Sequence, residues 1–197
     1  DATAFAFAFL MEIPTGAIAD LLGKKITIQS ALFFIVTGIL IITFGGSLIA
    51  VLVGFLIAQL GWALYSGSAE ALAYDSLIEN KKQEHFEKVI SFSNMLGLAT
   101  TVVASLIGAW LFTIDVKLPH FIWAVTYFIG FLFTFGLREP KVDTEKFSLS
   151  NYIKQLSTGI KELLSPQLKR YIVFIFVLMG FYYLYDYGLV RPAIAEQ

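Results

Sequence analysis

Long apolar runs separated by polar connections dominate this sequence. A transmembrane helix needs about 20 apolar residues, and six runs approach or exceed that length: 2–18, 26–44, 48–73, 89–114, 121–137 and 171–190. The start of the first run alternates phenylalanine with alanine, as a strand would. An open strand in lipid leaves its backbone groups unpaired, so we predict a helix there as well. The pattern therefore predicts an all-α membrane protein with six spans.

A second pattern lies in the polar interval before the sixth run. Apolar residues recur there at helical spacing until Pro166 interrupts them. They are Leu149, Tyr152, Ile153, Leu156, Ile160, Leu163 and Leu164. This spacing predicts an amphipathic helix on the membrane surface. The helix can be a linker between two bundles or a lipid sensor, and we favour the linker.

Basic residues are concentrated in alternate connections. Of the 14 Lys and Arg residues, all but Lys117 and Arg191 follow the first, third or fifth run. The positive-inside rule then places the connections after Asp20, Asn80 and Arg138 in the cytoplasm. We predict a multi-pass protein of the cell membrane.

The composition agrees with a membrane protein and excludes several kinds of site. Apolar residues make up 57% of the chain and charged residues only 15%, against about 25% charged in soluble domains. Cysteine is absent, and His85 and His120 lie far from any second candidate ligand, so neither a metal site nor a cofactor is expected. Asp1 falls within an apolar pattern, which suggests a fragment of a longer protein.

The polar segment EIPTGAIADLLGKK joins the first two runs. Gly16 and Gly23 allow a turn of a few residues and a close helix approach. Asp20 can pair with Lys24 or face the N-terminal end of a helix. Glu12 lies two turns deeper in the first run, where it needs a partner or water.

The spacing G-x-I-A-D-x-x-G-K-K in this segment resembles the signature loop between helices 2 and 3 of the major facilitator superfamily, G-x-L-A-D-R-x-G-R-K. The resemblance implies a helical bundle of that family, with the six spans as family helices 2 to 7. It divides the chain into part of an N-terminal bundle (1–138), a cytoplasmic central loop with the amphipathic helix (139–170), and the first helix of a C-terminal bundle (171–197).

The resemblance also assigns a role to the loop. The family's loop aspartate is thought to hold the neighbouring half and bias the outward-facing state, which here would be Asp20. The residues that shape the turn would be Gly16, Gly23, Lys24 and Lys25. The alternative is a polar turn that only orients two helices. Leu21 replaces the family's arginine, the third run lacks the arginine of proton-linked members, and the fourth lacks the Gly-Pro pair of drug exporters.

Two helix faces carry candidate substrate or proton residues. On the third run, one face carries Gln59, Trp62, Ser66, Glu70 and Tyr74, opposite Gly54, Gly61 and Ser68, which suit close packing. On the sixth run, one face carries Met179, Tyr182, Tyr183 and Asp186. By resemblance both helices line a central cavity, where aromatic rings and an acid suit an amphiphilic or cationic solute.

Each candidate has a plainer alternative. Glu70 and Asp75 can form the cytoplasmic end of a helix near Lys81 and Lys82, and we favour that for Asp75. The tyrosines of the sixth run can belong to an interfacial aromatic belt. Glu12, the third candidate acid, must be paired, protonated or facing a cavity.

The resemblance implies a secondary active transporter of a small organic solute that works by alternating access, with the proton as candidate coupling ion. The chain contains no phosphate-binding loop and no catalytic cluster, so we do not expect an enzyme. The bilayer and the solute are the expected partners, with no nucleic acid and no obligate protein partner. The alternative is a non-transporting receptor or scaffold on the same fold.

Overall fold

The computed structural model describes residues 21–140, 149–163 and single positions between 165 and 181. Within these residues the secondary structure is helical, with no strand. The predicted span 2–18 and the second half of the span 171–190 lie outside the described residues, as do Glu12, Gly16, Asp20, Tyr182, Tyr183 and Asp186.

Five helices follow one another along the described chain. They are α1 (Lys24–Phe44), α2 (Leu48–Glu79), α3 (Phe86–Ile114), α4 (Leu118–Thr134) and α5 (Leu149–Leu163), with a 3₁₀ turn at Gln83–His85. α1, α2 and the helix that ends at Ile114 are long and apolar enough to cross a membrane, and α4 is a shorter apolar helix. The described positions from 171 to 181 are helical. The helices predicted for the second to fifth runs and for the amphipathic segment are thus confirmed.

α2 is longer than its apolar run. Its 32 residues span about 48 Å at the usual helical rise, whereas a hydrocarbon core is about 30 Å thick. The helix ends where the Asn80 side chain donates to the Ser76 carbonyl at 2.7 Å and Lys81 takes a left-handed backbone with φ 55°, a common helix stop. The last turns of α2 therefore reach the membrane boundary.

α4 begins and ends earlier than its apolar run predicts. Pro119 occupies its first turn, where the missing N–H needs no helical partner. After Thr134 the backbone tightens, because Gly136 N–H donates to the Phe133 carbonyl at 3.1 Å and Leu137 N–H to the Thr134 carbonyl at 3.1 Å. This tightened end positions Glu139.

The chain divides into two compact units, residues 1–152 and 153–197. In the first unit α1 is central, because it packs against both α2 and α4. The buried core residues are Ile28, Leu32, Ile35 and Ile39 of α1, Leu72 of α2 and Ala124 of α4. The second unit contains most of α5 and the helical positions that follow it.

Glycines bring α1 and α2 into close contact. A Cβ added at Gly54 would lie 2.7 Å from the Gly38 carbonyl oxygen, and one added at Gly61 would lie 2.6 Å from the Ala31 carbonyl oxygen. Gly38 in turn faces the backbone of Gly54 and Ala58. Side chains at these positions would push the helices apart, so this glycine seam confirms the close-packing face predicted for Gly54, Gly61 and Ser68.

α3 packs differently from the other helices of the first unit. None of its residues is buried. It shares with α4 an apolar cavity of about 620 Å³ that is bordered by Thr100, Gly108 and Trp123. α1, α2 and α4 therefore form the packed part of the unit, and the end of that part at Gly23 and Glu139 contains the polar site described next.

Candidate functional site

The carboxylate of Glu139 caps the N-terminus of α1. Its Oε1 accepts from the Lys24 backbone N–H at 2.7 Å, and its Oε2 accepts from the Lys25 backbone N–H at 2.7 Å. The first N–H groups of a helix have no partner within the helix, and the helix dipole attracts negative charge there. Glu139 therefore takes the place of a capping side chain, which Gly23 at the N-cap position cannot supply.

Gly23 is required by this contact in two ways. Its backbone has φ 95° and ψ 144°, a region that residues with a Cβ rarely adopt. A Cβ at this position would also lie 3.1 Å from the Glu139 carboxyl carbon. The sequence predicted Gly23 as a residue of a tight turn, and the structure identifies the group that approaches it.

Lys24 and Asp75 form an ion pair between α1 and α2. The Lys24 Nζ donates to Asp75 Oδ2, and the two side chains are only 19% and 13% exposed. Removing one partner of a pair this shielded from water leaves an unpaired charge, which costs more than breaking a surface pair. The sequence placed Asp75 near Lys81 and Lys82, whereas its partner in the structure is Lys24.

Lys25 contacts the end of α4. Its Nζ donates to the Phe135 carbonyl at 3.2 Å. A cation is stabilised at a helix C-terminus, where the last carbonyls have no helical partner. We call this cluster the turn network and define it as Gly23, Lys24, Lys25, Asp75, Phe135 and Glu139. Through it the start of α1 is bound to the ends of both α2 and α4.

The turn network contains three residues that the sequence did not assign to a site: Asp75, Phe135 and Glu139. Glu139 lies 115 residues from Lys24, and Asp75 lies 51 residues away. One signal could have found Glu139, because it directly follows a span that ends on the side where α1 begins. Of the five predicted signature residues, Gly23, Lys24 and Lys25 lie in the network, while Gly16 and Asp20 lie outside the described residues.

The face of α2 predicted to contact substrate contains both half-buried and exposed residues. Gln59 and Trp62 are half-buried, while Ser66 and Glu70 are exposed. The Ser66 hydroxyl contacts the Ala63 carbonyl of its own helix at 3.4 Å. In the described part of the chain Glu70 has no ion pair, and no group of three or more acidic or histidine residues could hold a metal ion.

Trp62 belongs to an aromatic cluster between α2 and α4. Its ring lies edge-on to Tyr127, with centroids 5.6 Å apart, and to Tyr65 at 6.1 Å. Tyr127 in turn contacts Trp123 at 6.0 Å. Tyr65 and Tyr127 border a second cavity of about 520 Å³. The sequence proposed Trp62 but not its partner Tyr127 on α4, because Tyr127 lies in a run without charged residues.

Comparison with known proteins identifies related chains. The model of the Major Facilitator Superfamily matches residues 2–194. The multidrug resistance protein MdtH of Blochmanniella pennsylvanica (strain BPEN) is 27% identical over 174 residues, which cover 88% of this chain and 40% of that protein. The uncharacterized MFS-type transporter YxaM of Bacillus subtilis (strain 168) is 24% identical over 174 residues, 88% of this chain and 42% of that protein.

The chain thus spans about two fifths of the length of the curated relatives it matches. No solved structure matches it significantly. The predicted all-α membrane fold is confirmed by the helices and by the family match.

Proposed function

The chain belongs to the major facilitator superfamily, and from that premise we propose that the whole protein is a secondary active transporter of a small organic solute. Two bundles would rock around a midplane site in alternating access, with the proton as candidate coupling ion. The same premise supports transport without enzyme chemistry. The relative MdtH is named a multidrug resistance protein, which favours organic compounds of drug type as solutes.

The observation that carries this proposal is the turn network. Its charged groups hold the start of α1 against the ends of α2 and α4. We propose that it fixes the signature turn in the position from which Asp20 holds the neighbouring half of the protein. Glu139, Asp75 and Lys24 would then be positioning residues, with Gly16 and Gly23 shaping the turn.

We propose that the turn network faces the cytoplasm. The basic connections after Asp20, Asn80 and Arg138 support this orientation. Single cysteines at Gln83 and Lys117, probed with an impermeant thiol reagent on intact cells, test it. Labelling of Gln83→Cys from outside the cell would mean that the orientation is the opposite of the one proposed.

The solute-facing residues are proposed to be Gln59, Trp62, Ser66 and Glu70 of α2, together with Tyr182, Tyr183 and Asp186 of the sixth run. The exposure of Ser66 and Glu70 supports a face turned away from the packed part of the unit. Trp62 offers a ring to an organic cation, and an acid such as Glu70 offers the opposite charge. Glu12, beside the signature turn, is assigned to conformational bias.

Flux through the full-length protein in proteoliposomes tests this function. The probes are ethidium and tetraphenylphosphonium, measured with a pH gradient in either direction. We expect flux above that of liposomes with an unrelated membrane protein. No flux of either probe in either direction would favour the receptor or scaffold.

The same assay tests proton coupling. Glu70→Gln or Asp186→Asn should remove the pH dependence of flux, because an amide cannot bind and release a proton. The matched control is Glu79→Gln, an exposed position on the same helix. Wild-type pH profiles in both acid variants would exclude these two residues as proton carriers.

A further inference from the structure

α5 has two chemically distinct sides. At about 100° per residue, the apolar positions from Leu149 to Leu163 fall within an arc of roughly 120°, and no other described helix has so one-sided a distribution. Thr158 lies at the centre of the opposite side. A water-soluble linker does not need a continuous apolar arc, whereas a helix in a membrane interface does.

The apolar side is only partly covered in the described part of the protein. Tyr152 and Leu156 are half-buried, but Ile153 is 57% exposed. Exposed apolar residues on one side of a helix mark a surface that another phase or molecule covers.

The covalent chain keeps α5 close to the bilayer. Glu139 is fixed against the N-terminus of α1, and the ten residues from there to Leu149 can extend about 35 Å at most. Seven residues lie between Leu163 and Tyr171, where the sixth apolar run begins, which gives a reach of about 28 Å. A helix tethered this closely at both ends has the membrane as its nearest apolar phase.

The charges of α5 specify which lipids would cover it. Lys154 and Lys161 are exposed and lie seven residues apart, so they project within about 20° of each other. Glu162 lies on the other flank of the polar side. The two lysines lie on the polar side, roughly 80–100° from Ile153 at the edge of the apolar arc. Their long side chains can reach lipid phosphates from there while their stems stay in the interface.

We propose that α5 binds anionic lipid. It lies in the bilayer interface with Ile153 towards the acyl chains, Thr158 towards water, and Lys154 and Lys161 on phospholipid phosphates. This property does not depend on the transport activity proposed above, and it makes α5 a lipid-binding element rather than a plain linker.

Position-specific fluorescence in the full-length protein tests the proposal. This chain contains no cysteine, so Ile153→Cys and Thr158→Cys can each carry one environment-sensitive dye once any cysteine elsewhere in the protein is replaced. The protein is placed in nanodiscs of phosphatidylcholine alone or of equal parts phosphatidylcholine and phosphatidylglycerol. Quenching is measured with aqueous iodide and with a lipid carrying a nitroxide in its acyl chain.

We expect the dye at position 153 to be quenched from the lipid and the dye at 158 from water, with docking favoured by phosphatidylglycerol. Lys154→Gln and Lys161→Gln should each weaken that preference about fivefold. Quenching of both positions from water would overturn the proposal, because α5 would then be a solvated linker. Protection of position 153 from both quenchers would also overturn it, because the face would then pack on protein.

Two further results test the role of lipid charge and check the labelled variants against the unlabelled protein. Docking of equal strength in both lipid compositions would overturn the assignment of anionic lipid. Hydrogen exchange of residues 149–163 in the unlabelled protein gives a second measurement that needs no cysteine. Slower exchange in the phosphatidylglycerol nanodiscs supports the proposal, and identical exchange in both contradicts it.

Discussion

α1 and α2 are joined in two different ways along their length. In the glycine seam, backbone meets backbone without polar side chains, as at Gly38 and Gly54. At the turn network the same helices are joined by the ion pair of Lys24 and Asp75, with Glu139 capping α1. The closely packed backbone atoms of the seam have no alternative partners in lipid. The seam is therefore suited to hold α1 and α2 together as one rigid unit. The charged groups can exchange partners at the membrane boundary, so a conformational change can use them.

The seam is expected to be the less tolerant region. Gly54→Val and Gly61→Val each force side-chain atoms into backbone that a Cβ alone would approach within 3 Å. Overpacking of this kind costs about 3 kcal/mol, so little folded protein should be recovered. Gly67→Val is the matched control on the same helix, because a Cβ there meets nothing within 4 Å. The measurement is the monodisperse yield and thermal stability in detergent, and equal stability of all three variants would contradict a close-packed seam.

The ion pair of the turn network should cost less to break. Asp75→Ala leaves the Lys24 ammonium shielded and without its carboxylate, a loss of about 2 kcal/mol. Lys24→Ala should cost a similar amount, and the double variant should cost less than the sum, because neither charge is then left without its partner. Thermal unfolding of the wild type, the two single variants and the double variant gives the coupling free energy between Lys24 and Asp75. Simple additivity would mean that the two side chains do not interact.

This comparison also shows what the sequence could and could not predict. The seam was predictable, since Gly54, Gly61 and Ser68 fall on one helical face and small residues pack between membrane helices. The helices were predictable from apolar run length, and their exact ends less so, because Pro119 and the tightened turn at Gly136 act locally.

The turn network was predictable only on its α1 side. Gly23, Lys24 and Lys25 lie in a recognisable motif, but their partners Asp75 and Glu139 are distant in the chain and have no pattern of their own. The spacing of charged residues along the chain does not show which opposite charge each one pairs with. Asp75 is therefore predicted to lie near Lys81, which is closer in the chain than Lys24.

Among the substitutions in the glycine seam and the turn network, Gly23→Ala should lower the stability of the protein least. The substitution forces an alanine into a backbone region that glycine almost alone adopts, at about 1 kcal/mol or more, and presses its Cβ towards the Glu139 carboxylate. Gly46→Ala is the control, because Gly46 also has positive φ but open space around its Cβ position. A lower melting temperature is expected for both, with loss of flux only for Gly23→Ala. Normal flux in both variants would mean that the Gly23–Glu139 contact does not matter for transport.

The most direct measurement compares Glu139→Gln with Glu79→Gln in the full-length protein, as initial flux of a transported probe in proteoliposomes at equal protein content. Both changes remove one carboxylate, but only Glu139 accepts from the α1 N-terminus. The glutamine amide oxygen can still accept one backbone N–H, but the second hydrogen bond and the negative charge are lost, and a charge-assisted bond is worth about 1.5 kcal/mol or more. Flux should therefore fall about tenfold in Glu139→Gln and stay at the wild-type rate in Glu79→Gln. Wild-type flux in Glu139→Gln would contradict a positioning role for the turn network.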